Sequence, residues 1–122
     1  MTIAFIDTKR REDFSEFKEM FDFIESYMGY LPNAYLLMAE NEALIKSFSD
    51  LTNAIFLSKN IDAGTKQLIA LASSLSSGCK YCQSHTAHGA ERSGISIKKI
   101  SDILNYSKSS LFDDKEKALL DL

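Results

Sequence analysis

Phe14, Phe17, Phe21, Ile24 and Met28 are spaced 3, 4, 3 and 4 residues apart, which sets them on one face of a helix. Met20, Phe23 and Tyr27 widen that stripe, and Gly29 is placed to end the helix in a left-handed conformation. Tyr30-Leu31-Pro32-Asn33 breaks the pattern. Pro32 suits the first turn of a short second helix through Tyr35, Leu36 and Met38, where its missing N–H costs nothing. Asn41 predicts the cap of a third helix with Leu44, Phe48, Leu51 and Ile55 on its buried side, closed by Ser58-Lys59-Asn60. Asp62 predicts the cap of a fourth, carrying Leu68, Ile69, Leu71, Ala72 and Leu75.

A run of small residues, Ser73 to Gly78, leads to a fifth helix with Cys79 in its first turn and its end near Gly94. Ser96 predicts the cap of a sixth, with Ile97, Ile100, Ile103 and Leu104 apolar. From Phe112 to Leu122 a cap and early acids open a further apolar stripe that stops without a C-cap. That ending fits a fragment, a truncated product, or a protomer whose last helix packs on a neighbour. No segment of useful length alternates as a half-buried strand does. The fold class is all-α, one domain over residues 1–122.

Composition changes this picture little. A net charge of -3 gives neither a nucleic-acid footprint nor a polybasic membrane patch. The N-terminus lacks a basic segment followed by a long apolar run, and no apolar run approaches the ~18 residues of a membrane span. The expected setting is the cytoplasm. There, two cysteines three apart point to redox or metal chemistry, because a structural disulfide is disfavoured in a reducing compartment.

Both cysteines and both histidines lie between Cys79 and His88. On a helix, residues three apart are surface neighbours, so Cys79 and Cys82 can bridge with little rearrangement, and His85 reaches Cys82. His88 falls roughly opposite Cys79. Four ligands spread halfway around one short helix cannot converge tetrahedrally, so a zinc site would need a ligand from another chain. A dithiol site needs less. The helix N-terminus stabilises a thiolate at Cys79, and an imidazole one turn on accepts a proton from Cys82 or holds its thiolate. The bland reading makes the cysteines small core residues and the histidines surface ones. Tyr81 reads as packing, His88 as a solvated polar residue, and Lys66, Arg92, Lys98 and Lys99 as exposed helix charge.

Cys79-Lys80-Tyr81-Cys82 followed by His85 resembles the cysteine signature of alkylhydroperoxidase D-like proteins in the carboxymuconolactone decarboxylase-like superfamily. Lys66 to Ser74 is similar to that family's Arg-Glu-x-Ile-Ala-Leu-x-x-Ser helix, and Gly29 to Ala34 to the Gly-x-x-Pro-Asn-Ala of its peroxidase-related branch. The resemblance implies an alkylhydroperoxidase D-like helical bundle, here without its C-terminal helices if the chain is cut short. It implies a trimer or hexamer, a hydroperoxide substrate, an external lipoyl- or thioredoxin-type dithiol as reductant, and no cofactor. In such a cycle His85 argues for Cys82 as the attacking thiolate, tuned by that imidazole and resolved by Cys79, while the helix dipole argues for the two cysteines in reversed roles. Two positions depart from the pattern. The family's glutamate, twelve residues before the first cysteine, is here Gln67, whose amide orients partners but relays no proton. The family's histidine, four residues after the second cysteine, is here Thr86, with His85 one residue earlier. A redox-sensing or assembly module that keeps the pair as a switch is the alternative from another class.

Overall fold

A computed structural model describes residues 6, 7 and 9–122, and among these there are helices and turns but no strand. Among the described residues seven α-helices follow one another: α1 Lys18–Met28, α2 Asn33–Ala39, α3 Glu42–Phe56, α4 Ala63–Ser76, α5 Lys80–Arg92, α6 Ile97–Ser101 and α7 Asp114–Leu120. No helix among the described residues is long and apolar enough to cross a membrane. The backbone divides into two compact units, Met1–Ile55 and Phe56–Leu122.

In the first unit two 3-10 turns, Arg11–Asp13 and Ser15–Phe17, lead into α1. The predicted aromatic stripe is the core: Phe14, Phe17, Phe21 and Ile24 are buried with Tyr35, Ala39 and Ile45. Phe14 and Phe21 meet edge to face with ring centres 6.4 Å apart, a geometry that aromatic quadrupoles favour. Gly29 ends α1 at φ 86°, where a side chain would be strained. Three expectations need correction. Phe23 and Tyr27 do not widen the buried stripe; they are exposed and stack on each other. Pro32 takes the extended N-cap position of α2, one residue before the helical first turn. On α3, Leu44, Phe48, Leu51 and Ile55 face solvent, while Ile45 and Ser49 on the adjoining face are buried. Asn41 does cap α3, its Oδ1 accepting from the Leu44 N–H at 3.1 Å.

The second unit is built on the antiparallel pair α4–α5. Asp62 caps α4, accepting from the Thr65 N–H at 2.9 Å and its hydroxyl at 2.7 Å. Hydrogen bonding to Thr65 holds the Asp62 carboxyl below its ordinary value. Lys66 reaches back to the carbonyls of Phe56 and Ser58, tying the entry loop to α4. Leu68, Leu71, Ala90, Ile103 and Phe112 form the core. Ser96 caps α6 through the Lys99 N–H, yet Ile97 and Leu104 are 66% and 81% exposed, so the apolar face predicted there is only half buried. Asp113 and Glu116 close a capping box on α7. Lys99 joins α6 to it by pairing with Glu116 and lying 5.1 Å from the Phe112 ring centre.

A candidate dithiol site at the start of helix α5

The turn from α4 to α5 is a single joint. Gly78, at φ 71°, donates to the Leu75 carbonyl, and Cys79 donates to the Ser74 carbonyl at 3.1 Å. Those two bonds are the Schellman closure of a helix end. Cys79, the residue that completes it, is also the N-cap of α5, with extended φ -76° and ψ 98°. It therefore lies just before the first turn rather than in it. The Ser74 carbonyl also accepts from the Ser77 hydroxyl and from Gln83 Nε2, each at 3.2 Å. Three donors on one carbonyl fix the start of α5 against the end of α4.

Cys79 and Cys82 are bridged, with Cα atoms 5.3 Å apart. The Cys79 sulfur also accepts from the Cys82 N–H at 3.3 Å, the bond a Ser or Asp oxygen makes at an ordinary N-cap. Both cysteines are partly exposed. In the reduced state the same N–H and the helix N-terminus favour a thiolate at Cys79.

His85 is half-buried one turn beyond Cys82, its ring stacked on Tyr81 at 5.9 Å and 13°. Burial lowers its pKa, and the charge of His88 lowers it further, so the imidazole is neutral and proton-accepting near pH 7. Tyr81 packs on that ring as expected but stays 66% exposed. The position the family gives to histidine belongs to Thr86, which is buried and donates its hydroxyl to the Cys82 carbonyl at 2.7 Å. A hydroxyl so engaged supplies no base.

Gln67 is buried on α4 with its side-chain amide against Gly89 of α5. A Cβ at Gly89 would lie 2.7 Å from the Gln67 side-chain carbonyl carbon, so this contact needs glycine. Gly89 is seven residues past Cys82 on α5, about 10 Å along the helix axis at ~1.5 Å per residue. The structure thus joins Cys79 with Cys82, places His85 on the same helix, and sets Gln67 beside Gly89, about one turn beyond His85 and two beyond Cys82. Sequence reasoning missed Gly89 and the Ser74 carbonyl. A glycine within the α5 pattern was the one available signal for the first; a backbone carbonyl gives none. Among the described residues no group of three His, Cys, Asp or Glu side chains is poised for a metal.

An all-helical chain presenting a Cys-x-x-Cys pair at a helix start is a dithiol-bearing helical protein. Its residues 42–122 match the sequence profile of the Carboxymuconolactone decarboxylase family, and the chain belongs to that family. It is similar to two crystal structures of the debrominase Bmp8, one apo and one a cysteine-to-alanine variant in complex with 2,3,4-tribromopyrrole. Each is 30% identical over 97% of this chain, with a TM-score of 0.87. The chain spans 63% of the Bmp8 chain. No curated protein matches it by sequence.

Proposed function

We propose that the protein is a thiol-dependent reductase in which Cys79 and Cys82 give two electrons to a hydroperoxide. The pairing of the two cysteines at disulfide distance on a fixed helix start is the observation that carries this reading. Cys82 thiolate attacks the peroxide oxygen, the O–O bond breaks, and an alcohol leaves with a proton as Cys82 becomes a sulfenic acid. Cys79 then attacks that sulfur and expels water, leaving the disulfide. An external lipoyl- or thioredoxin-type dithiol takes the disulfide back to two thiols and is itself oxidised. His85 accepts the Cys82 proton at the start of the cycle. Gln67, an amide packed on Gly89, orients α4 against α5 and moves no proton. The protein works in the cytoplasm, where such donors are kept reduced, and as a homo-oligomer.

The likeness to Bmp8 favours a second substrate class, a small halogenated aromatic. The electron count is the same: a carbon–bromine bond is replaced by carbon–hydrogen, bromide leaves, and the dithiol becomes a disulfide.

The test measures turnover of hydrogen peroxide, cumene hydroperoxide and 2,3,4-tribromopyrrole with dihydrolipoamide as donor. Peroxide turnover that vanishes in Cys79→Ser and in Cys82→Ser, with sulfenic acid trapped in Cys79→Ser, supports the scheme. Bromide release without peroxide turnover replaces it by the second reading. One stoichiometric oxidation with no turnover on any substrate leaves a redox switch instead of an enzyme.

A further inference from the structure

Gln83, the residue after Cys82, reaches back from α5 to the end of α4. Its backbone N–H donates to the Cys79 carbonyl at 3.0 Å, the bond that opens the α5 ladder. Its side-chain Nε2 donates at 3.2 Å to the Ser74 carbonyl, which also accepts from the Cys79 N–H at 3.1 Å. Three hydrogen bonds therefore run in a closed circuit: Gln83 to Cys79, Cys79 to Ser74, and Gln83 to Ser74. The peptide groups on both sides of the Cys79 α-carbon belong to it, so the extended φ of -76° and ψ of 98° at that residue are pinned. None of the three bonds involves a sulfur. The circuit does not depend on the S–S bond, and it is open to the dithiol as well as to the disulfide.

The Ser77 hydroxyl donates to the same Ser74 carbonyl at 3.2 Å, but from the C-cap of α4 itself, so it ties no part of α5. Thr86 holds the Cys82 carbonyl from within α5. Gln83 differs from both in joining the two helices across the turn that carries Cys79. Closing a disulfide requires the two thiols to be held at one separation, and that ordering costs free energy. Where hydrogen bonds already hold Cys79 in the dithiol, the remaining cost is smaller and each thiol sees the other at a higher effective concentration.

We propose that Gln83 is a positioning residue for the dithiol: by tethering Cys79 to the end of α4 it favours the disulfide over the dithiol and lowers the reduction potential of the pair. This rests on the reading that Cys79 and Cys82 cycle between dithiol and disulfide, and not on which substrate oxidises them.

Equilibration of the full chain in glutathione redox buffers, with free thiols counted by alkylation after an acid quench, tests it. In that exchange the disulfide takes two electrons and two protons from two glutathiones, which leave as glutathione disulfide, so the equilibrium ratio gives the potential of the pair. Gln83→Met keeps the length of the side chain without the donor, and Gln83→Ala removes it altogether. Each is expected to shift the equilibrium roughly three- to tenfold toward the dithiol, about 15–30 mV at ~30 mV per tenfold. Ser77→Ala takes a donor from the same carbonyl without releasing α5, and is expected to stay within about twofold of wild type. A residue that merely supports the fold contributes equally to both redox forms. Gln83 variants that lose urea stability equally as dithiol and as disulfide, with the exchange equilibrium unmoved, therefore overturn the proposal. So does a shift toward the disulfide, or a Ser77→Ala shift as large as that of the Gln83 variants. A pair that exchanges with no thiol overturns both this and the reductase reading. Peroxide turnover plays no part in the measurement, so its absence produces none of these results.

Discussion

In the unit Met1–Ile55 the buried side chains among the described residues are Phe14, Phe17, Phe21, Ile24, Pro32, Tyr35, Ala39 and Ile45, with Ser49 the one buried polar residue among them. In the unit Phe56–Leu122 they are Leu68, Leu71, Ala90, Ile103 and Phe112, with Thr65, Gln67, Ser74, Thr86 and Ser109 buried beside them. The first unit fills its space with rings. The second brings two helices close by using glycine and alanine at the crossing, then places amides and hydroxyls in the seam. A buried polar group must find a partner: Ser74 donates to the Ala70 carbonyl, Thr86 to the Cys82 carbonyl and Thr65 to the Asp62 carboxylate, while half-buried Gln83 donates to the Ser74 carbonyl. Aromatic packing tolerates inexact geometry, whereas this arrangement fixes where each helix ends.

The contrast can be broken at its strongest point first. Phe21, fully buried, is expected to cost about 3–5 kcal/mol when truncated to alanine, read by thermal or urea unfolding. If the rings serve packing alone, alkylation of reduced Cys79 and Cys82 under native conditions keeps its wild-type rate. Next comes Gly89→Val, whose side chain collides with the Gln67 amide. Overpacking there is expected to cost about 1–3 kcal/mol. Adding Gln67→Ala should recover part of that loss, a coupling that a double-mutant cycle measures.

Asp62→Ala removes the cap of α4 and is expected to cost about 1 kcal/mol. Its pH dependence has a definite sign. The folded pKa lies below the unfolded one, so the contribution is complete above the unfolded value of about 3.9 and disappears as pH falls through the folded value. Urea midpoints between pH 3 and 6 should therefore converge for wild type and variant at the acid end. His85 also disfavours acid. Its folded pKa is depressed, so stability is unaffected above the unfolded value near 6.5 and is lost below it until the folded imidazole takes up its proton. His85→Gln should flatten that part of the stability profile, and an NMR titration of the ring checks the direction. The smallest effect belongs to Leu104→Ser. At 81% exposure it should stay within about 0.5 kcal/mol, where Ile103→Ala, its buried neighbour, costs about 2–5.

Leu104 and Ile103 also show where the sequence was readable. Caps are local chemistry, and Asn41, Asp62, Ser96 and Asp113 could each be found from a side chain and the helix that follows. The aromatic core and the Cys79–Cys82 pair followed from spacing along one helix. Periodicity names a face but not what lies against it. On α3 the larger apolar stripe is the exposed one, and Ile45 with Ser49 turns inward. The meeting of Gln67 with Gly89 joins residues 22 apart through a backbone approach, which no local pattern encodes. At Cys79 the error was one residue, and it decided whether the sulfur is within the helix or caps it.

That one residue has a spectroscopic consequence. The Cys82 amide proton is aimed at the Cys79 sulfur, so its magnetic environment changes when that sulfur passes from disulfide to thiol or thiolate. One backbone resonance thereby becomes a gauge of the electron count at the pair. It can be followed on the intact chain without a dye, an added thiol reagent or any knowledge of the substrate.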